Sequence, residues 1–295
     1  MEGVEHRIVK VNGINTDVAE KGQGPGFGDT DAPDSVTEYT CFHVVGDSID
    51  LLNIVTPEQQ VFVVGHDWGA LIAWYLCLFR SYKVKALLNL SVPLLPRNPQ
   101  MKPVDEWRVV YGNDYYICRF QEPGEIEVEF AEIGTETIMK EMLAYSVPAP
   151  IMLTKGNLFG HSSDMSTALP SCLSEEVFNY HVTKFNKSRF TDGINYYRSF
   201  NRYLYYTYVS NDRNRELTTA WDGCEVKAAT NFIVGDMDLV YHMPGLKEYF
   251  HNGRFKKDVP LLQEVVVMEG VGHFIHMEKP DEINNHIYDF FRRFD

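Results

Sequence analysis

Short apolar runs alternate with longer amphipathic segments in the first and last thirds of the chain. Four of these runs have the length of buried strands: Val61–Val64, Val84–Leu90, Thr230–Val234 and Glu264–Met268. Ala70–Phe79 and Asp281–Phe291, which begins after Pro280, have helical periodicity instead. Because strands alternate with helices along the chain, the pattern predicts a parallel sheet of the α/β class.

Two further elements are predicted before the first of these strands. Residues 7–19 alternate between apolar and polar positions around Asn12-Gly13, which predicts a β-hairpin. Ser35 followed by Glu38 is a capping box, and it predicts a helix from Ser35 to about Leu52. The glycine-rich residues 22–28 contain Pro25 and open no helix, which favours a plain turn over a phosphate-binding loop.

The β pattern disappears between about Pro93 and Glu216. Helical segments replace it, and they are predicted at Val104–Tyr111, Ile126–Ile133, Glu136–Tyr145 and Ser174–Phe185, the last with Ser174 as its N-cap. The sequence therefore predicts an α/β core at residues 1–95 and 216–295, interrupted by a helical cap at residues 96–215.

Composition and charge argue against some classes of binding partner. The 295 residues carry a net charge of −14, which argues against binding to nucleic acid or to anionic membranes. The chain begins without an apolar signal segment, and no apolar run approaches a membrane span. Its five scattered cysteines are typical of reduced thiols. We expect a cytoplasmic protein, either a monomer or a homodimer.

The motif Gly65-His66-Asp67-Trp68-Gly69 lies between a predicted strand and a predicted helix. Strand, Gly-x-nucleophile-x-Gly and helix form the layout of a nucleophile elbow, a sharp turn that presents one side chain above the sheet. The flanking glycines fit this layout, because we expect so tight a turn to leave little room for side chains nearby. A turn without chemistry is the alternative.

An aspartate at the centre of this motif restricts the reaction. Attack by a carboxylate on a saturated carbon leaves an ester that water can cleave, whereas a serine would leave a stable ether. Asp67 therefore indicates covalent catalysis on an epoxide or an alkyl halide.

Hydrolysis of such an ester needs a general base that a carboxylate orients. Asp238 and His273 each follow a predicted strand, where the ligands of open sheets collect. With Asp67 they keep the order nucleophile, acid, histidine. Four other histidines are interpreted as structural or surface residues: His66, His242, His251 and His276. Of these, His66 is expected to pack at the elbow. No spacing fits a metal site, so neither a metal nor a cofactor is expected.

Opening an epoxide creates an alkoxide, which a phenol is acidic enough to protonate. The predicted cap contains two tyrosine doublets, Tyr115-Tyr116 and Tyr196-Tyr197, although packing of the cap would explain them equally well. A halide would instead require N–H donors, and the Trp68 indole is a candidate. The backbone N–H of Trp68 is expected to face the oxyanion.

Together these motifs resemble the plant-type soluble epoxide hydrolases over nearly the whole chain. The matching segments are Glu5–Ile14, Gly28–Pro33, Gly65–Arg80, Tyr115–Gln121, Gly193–Arg198, Gly235–His242 and Gly270–Phe274. The resemblance implies an α/β-hydrolase fold and no cofactor. It further implies Asp67 as the nucleophile, His273 as the base, Asp238 as its orienting acid, and Tyr116 and Tyr197 as the phenols that hold the epoxide oxygen. Fatty-acid or aryl epoxides are the implied substrates, with roles in lipid epoxide metabolism or detoxification.

The chain departs from the family pattern in two places. Lys21–Pro25 runs directly into Gly26–Asp29, so a strand ending in His-Gly-x-Pro, a helix and a second strand are missing. In this family that loop supplies the second N–H of the oxyanion hole, and the lost strand would leave Val61–Val64 without its neighbour. Residues 203–212 have no counterpart in the family pattern.

Two alternatives remain open. A haloalkane dehalogenase would use the same aspartate, although the tyrosine pair argues against it. A catalytically inactive protein or binding module on the hydrolase fold would explain the missing oxyanion loop, although Asp67, Asp238 and His273 are all present.

Overall fold

The computed structural model describes residues 6–11, 14–19, 28–95, 102–160, 168–200, 221 and 223–294. The predicted hairpin turn at Asn12-Gly13, nearly all of the glycine-rich stretch and residues 203–212 lie outside these ranges. The chain forms two compact units. One comprises Met1–Val55, Asn98–Ala144 and Ile151–Glu216, and the other comprises Thr56–Arg97, Tyr145–Pro150 and Leu217–Asp295.

The described strands and α-helices follow one another in the following order along the chain. They are β1 (His6–Val11), β2 (Ile14–Ala19), α1 (Cys41–Val55), β3 (Val61–His66), α2 (Trp68–Phe79), β4 (Val84–Leu90), α3 (Pro103–Tyr111), α4 (Tyr116–Arg119), α5 (Glu125–Ile133), α6 (Thr135–Leu143), α7 (Glu175–Ser188), α8 (Thr191–Arg198), β5 (Ala229–Gly235), α9 (Leu246–His251), α10 (Arg254–Asp258), β6 (Leu262–Met268), α11 (Ile275–Glu278) and α12 (Pro280–Phe291). None of the described helices is both long and apolar enough to traverse a bilayer.

Helices dominate the unit that begins with the hairpin. Strands β1 and β2 pair antiparallel, as the alternation predicts. Helices α5, α6 and α8 contribute to an apolar cluster, which consists of Phe120, Ile126, Phe130, Ile138, Leu153, Leu158 and Ile194. Ser174 caps α7 as predicted, because its side chain accepts a hydrogen bond from the backbone N–H of Val177 at 3.3 Å.

The prediction of one continuous helix from Ser35 is wrong. Ser35 caps a short 3-10 helix, Val36–Tyr39, and α1 begins only at Cys41 after an extended residue, Thr40. The side chain of Tyr39 is fully buried, and the hydroxyl of Ser199 donates to its backbone carbonyl at 3.0 Å. These tertiary contacts of Tyr39 accompany the break between the two helices.

A parallel sheet forms the centre of the other unit. The strand order is β3-β4-β5-β6, and every neighbouring pair is parallel, which confirms the predicted α/β class. Pro280 is the first residue of α12, as predicted. The apolar cluster between the sheet and the C-terminal helices consists of Ala86, Leu88, Leu90, Ile233, Met268, Val271, Ile275, Ile283 and Phe290.

Strand β3 lies at the edge of this sheet. Within the described residues it pairs with β4 alone, as the missing neighbour predicts. Val64 is 44% exposed although it lies inside the strand. Strands in the interior of parallel sheets are covered on both faces, so this exposure agrees with the position of β3 at the edge of the described sheet.

Candidate active site

Asp67 lies in the sharp turn between β3 and α2. Its backbone has φ 51° and ψ −122°, an unfavourable conformation for a residue other than glycine. A Cβ at Gly65 would lie 2.6 Å from Oδ1 of Asn89 and 2.7 Å from Cα of Ala70, so this position requires glycine. A Cβ at Gly69 would meet nothing within 4 Å, so the prediction of little room for side chains is wrong at Gly69.

The structure brings Asp67, Asp238 and His273 together at the carboxyl ends of the parallel strands, after β3, β5 and β6. Nε2 of His273 lies 3.4 Å from Oδ1 of Asp67, and its Nδ1 lies 3.1 Å from Oδ1 of Asp238. The side chain of Asp238 is fully buried, that of His273 is 14% exposed and that of Asp67 is 34% exposed. A ligand can therefore reach Asp67, whereas Asp238 contacts only protein.

The loops that carry the acid and the histidine follow β5 and β6 and are hydrogen-bonded to each other. The N–H of Met237 donates to the carbonyl of Val271 at 3.0 Å, and the N–H of Gly270 donates to Oδ1 of Asp236 at 2.7 Å. A Cβ at Gly235 would lie 2.0 Å from the Val271 carbonyl oxygen. The close approach of these loops therefore depends on glycine at position 235.

The charges of the three side chains stabilise one another. Desolvation would raise the pKa of Asp67, but the hydrogen bond and charge of His273 outweigh it and hold that pKa below its usual range. Desolvation opposes protonation of His273, but the charges and hydrogen bonds of Asp238 and Asp67 outweigh it and raise its pKa. The N–H of Trp68 also donates to Asp67. At neutral pH the site therefore holds an imidazolium between two carboxylates.

His66 forms a hydrogen bond with the backbone of His273, in addition to the packing role that the sequence predicts. Its Nε2 lies 2.8 Å from the carbonyl oxygen of His273, and the two rings are 4.9 Å apart. Burial, together with the charge of His273, lowers the pKa of His66 to about 4. A neutral His66 with Nε2 protonated can donate to this carbonyl, which fixes the loop carrying the histidine.

Ser91 is a residue of this site that the sequence interpretation missed. It directly follows β4, and its side chain is fully buried. Its hydroxyl donates to Oδ2 of Asp238 at 2.6 Å and lies 3.0 Å from Nδ1 of His273. The available signal was its position after a strand, the same signal that identified Asp238 and His273.

Tyr116 and Tyr197 lie together in the helical unit. Tyr116 begins α4, Tyr197 lies in α8, and their ring centroids are 5.6 Å apart with an interplanar angle of 74°. Both are half-buried and pack against the apolar cluster of that unit. The structure therefore places the two predicted phenols side by side, with edge-to-face packing.

Polar contacts fix the helix that carries Tyr197. The amide of Gln121 donates to the Tyr197 carbonyl at 3.1 Å. Arg198 is buried; its Nε donates to the carbonyl of Phe120 at 2.9 Å, and its guanidinium lies 2.7 Å from Glu127. These bonds join α8 to α5 and to the residues that directly follow α4, so buried contacts set the spacing of the two phenols.

The described residues hold no cluster of three or more histidine, cysteine or acidic side chains arranged to bind a metal. The five cysteines are free thiols, of which Cys41, Cys77 and Cys118 are buried and Cys172 and Cys224 are exposed.

Comparison with known proteins identifies the family. Residues 23–286 match the model of the Alpha/beta hydrolase family. Epoxide hydrolase 1 of Siraitia grosvenorii is 46% identical over 329 aligned positions that include all of both chains. Since this chain has 295 residues, at least 34 aligned positions of the relative have no counterpart here, which agrees with the predicted missing segment.

More distant sequences and solved structures give the same assignment. Epoxide hydrolase A of Mycobacterium tuberculosis is 29% identical over 90% of this chain and 79% of its own length. Potato (Solanum tuberosum) epoxide hydrolase I matches with a TM-score of 0.89 and 46% identity, covering 99% of this chain and all of that one. A mutant of Vigna radiata epoxide hydrolase matches over both full lengths with a TM-score of 0.90 and 42% identity. The chain belongs to the epoxide hydrolases of the α/β-hydrolase family.

Proposed function

We propose that this protein hydrolyses epoxides to vicinal diols through an ester formed on Asp67. The observation that carries the proposal is the position of an aspartate, in place of a serine, at the elbow, 3.4 Å from the imidazole of His273. A carboxylate can attack a saturated carbon and be regenerated by hydrolysis, whereas a hydroxyl cannot.

In the first step the ionised carboxylate of Asp67 attacks one carbon of the epoxide and the ring C–O bond breaks. Its lowered pKa keeps Asp67 ionised, and its position at the N-terminus of α2 stabilises the negative charge. Tyr116 and Tyr197 donate hydrogen bonds to the departing ring oxygen, and one of them supplies its proton. Their edge-to-face packing supports a pair that acts on one oxygen atom.

In the second step His273 activates the water that cleaves the ester. Once Asp67 is esterified its negative charge is lost, so the pKa of His273 falls and the imidazolium releases its proton, which restores the phenol that protonated the ring oxygen. The neutral imidazole can then accept a proton from water. Asp238 keeps Nδ1 protonated and thereby leaves Nε2 free as the base. Hydroxide attacks the carbonyl carbon of the ester, and cleavage returns the carboxylate and releases the diol.

The backbone N–H of Trp68 stabilises the oxyanion of this second step. The segment that supplies a second donor in the family pattern is missing from this sequence. Loss of one such donor typically slows a reaction by ~10²–10³. We therefore propose that cleavage of the ester, not its formation, limits turnover in this protein.

The substrates that we propose are fatty-acid or aryl epoxides, with water as the second reactant and no cofactor. The core at residues 1–95 and 216–295, the cap at residues 96–215, a cytoplasmic location and a monomeric or homodimeric state are proposed from the sequence. A catalytically inactive binding protein is the second candidate, and the missing oxyanion segment is the feature that favours it.

Turnover of styrene oxide in water labelled with ¹⁸O tests the mechanism. With enzyme in excess, the first diol should carry an unlabelled oxygen from Asp67, and the peptide containing Asp67 should gain the label. With substrate in excess, the diol itself should become labelled. Label in the diol of the first turnover would instead indicate direct attack by water and contradict the ester mechanism.

Two variants complete the test. Asp67→Asn should form no diol, whereas Asp289→Asn, which alters an exposed aspartate on α12, should retain full activity. Release of halide from a 1-haloalkane, without diol from any epoxide, would identify a dehalogenase. A folded protein that binds epoxides without turning them over would identify the binding protein.

A further inference from the structure

Ser91 lies buried at the end of β4, and no step of the proposed mechanism uses it. Its side chain is fully buried and its φ is 70°, a left-handed conformation that residues other than glycine rarely adopt. Its backbone N–H donates to the carbonyl of Ile233 on the neighbouring strand at 2.8 Å. The sheet therefore holds Ser91 in a conformation that the residue would not adopt by itself.

The hydroxyl of Ser91 touches both partners of the catalytic pair. A serine hydroxyl has one hydrogen, and at 2.6 Å that hydrogen is donated to Oδ2 of Asp238. A lone pair of the same oxygen then faces Nδ1 of His273 at 3.0 Å. Nδ1 must carry a hydrogen, since Oδ1 of Asp238 also accepts from it at 3.1 Å. The hydroxyl thus bridges the carboxylate and the imidazole.

We propose that Ser91 is a positioning residue, which fixes the tautomer of His273 and moderates its proton affinity by sharing the charge of Asp238. The proposal rests on the function proposed above, because it concerns the base of the second step. It adds a fourth side chain to the set of Asp67, Asp238 and His273.

The direction of the effect follows from the groups that face His273. These are Asp238, Asp67, the hydroxyl of Ser91 and the neutral ring of His66, which itself faces His276 at 4.6 Å. A hydroxyl that donates to Asp238 disperses its negative charge. Without it, more charge acts on the imidazole, the protonated form is favoured, and less free base is present in the ester intermediate at neutral pH.

A purely structural role would have a different signature. If the hydroxyl only satisfied a buried carboxylate, its removal would lower stability and the amount of folded enzyme. The pKa of His273 and the ratio of ester cleavage to ester formation would then stay unchanged. Measurements on His273 itself and on the separate steps therefore distinguish the two roles.

Three variants suit the experiment. Ser91→Ala removes the hydroxyl and keeps the strained backbone, whereas Ser91→Gly removes the hydroxyl and relieves the strain. Thr230→Val is the matched control, because it removes a fully buried hydroxyl on β5 that donates only to the carbonyl of Ala228 at 2.9 Å. Agreement between the two Ser91 variants would assign the effect to the hydroxyl.

The pKa of His273 is measured by ¹⁵N NMR of labelled histidines, with its signal assigned by its loss in His273→Gln. This measurement needs no turnover, so it decides the proposal even if the protein hydrolyses no epoxide. Ester formation and cleavage are then followed separately with styrene oxide under single-turnover conditions. Failure of the wild-type protein to form an ester would count against the proposed function alone.

We expect both Ser91 variants to raise the pKa of His273 and to slow ester cleavage at neutral pH about tenfold or more, with ester formation changed less than about threefold. In the pH profile of the rate of ester cleavage, the acidic limb should move to higher pH. Thr230→Val should change neither the pKa of His273 nor the rates and pH profile of the two steps. An unchanged pKa of His273 in both Ser91 variants would overturn the proposal. So would equal losses in both steps.

Discussion

His273 lies between two carboxylates, with Nε2 3.4 Å from Asp67 and Nδ1 3.1 Å from Asp238. The two carboxylates differ in environment, since Asp67 is a third exposed and Asp238 is fully buried. One can therefore react with a ligand, while the other keeps its charge throughout. The protonation of the imidazole is consequently coupled to the covalent state of Asp67.

The first prediction concerns this coupling. Asp67→Asn imitates the loss of charge that esterification causes, so it should lower the pKa of His273 as well as abolish diol formation. Titration of the His273 ring by ¹⁵N NMR measures the shift. Asp289→Asn, on the exposed face of α12, serves as the control and should leave that pKa unchanged. An equal pKa in Asp67→Asn and the wild-type protein would contradict the coupling.

The second prediction concerns the dependence of stability on pH. The pKa of His273 is raised in the folded protein, so its contribution to stability is fully present below the unfolded pKa of ~6.5 and is lost as pH rises through the folded pKa. The pKa values of Asp67 and Asp238 are lowered in the folded protein, so their contributions to stability are lost at acidic pH instead. Above pH ~6.5 the free energy of unfolding should therefore fall more steeply in the wild-type protein than in Asp67→Asn. Urea denaturation at several pH values above ~6.5 measures the free energy of unfolding of both proteins. Equal slopes of this free energy against pH would contradict the prediction.

The third prediction uses the two glycines of the elbow as a matched pair. Gly65→Ala should destabilise the protein by about 1–3 kcal/mol or more, because its Cβ would overlap Asn89 and Ala70. Gly69→Ala meets no atom within 4 Å and lies in α2, where alanine is favoured over glycine by up to ~1 kcal/mol. Thermal melts of both variants decide the point. Equal losses of stability would show that the turn is not packed as described.

The sequence was sufficient to predict the strands of the parallel sheet and the set of Asp67, Asp238 and His273. Buried parallel strands are nearly continuous apolar runs, and their carboxyl ends lie on the same side of the sheet, so topology alone brings Asp67, Asp238 and His273 together. Ser91 obeys the same rule but was missed. A lone serine has no partner motif, and its hydrogen bond to Asp238 spans 147 positions of the chain.

Other differences from the sequence prediction come from tertiary contacts. Helix α8, which carries Tyr197, has few apolar residues and an internal Gly193, so local periodicity does not identify it. Buried contacts of Arg198 with Phe120 and Glu127 hold it instead. The helix predicted from Ser35 is interrupted for a comparable reason, because Tyr39 is buried at the break. Packing overrides local propensity at both places.

The fourth prediction concerns the two phenols. Tyr116→Phe and Tyr197→Phe should each slow ester formation by ~10²–10³ and leave the cleavage of preformed ester nearly unchanged, because the phenols act on the ring oxygen. Tyr288→Phe, on a residue that is 67% exposed on α12, should change neither step. Stopped-flow measurement of both steps with styrene oxide makes the test. A tyrosine variant that slows only ester cleavage would argue against the assigned role.

The fifth prediction concerns the edge of the sheet. Strand β3 pairs with β4 alone among the described residues, and its Val64 is 44% exposed, so the edge can template pairing between molecules. Val64→Lys should slow aggregation at 37 °C, since a charge on an edge strand disfavours such pairing. Val109→Lys, at a valine that is 79% exposed on helix α3, provides the control and should aggregate like the wild-type protein. Light scattering at equal protein concentration follows both variants. If both lysines slowed aggregation equally, exposed apolar surface in general would be responsible, and the free edge of β3 would not.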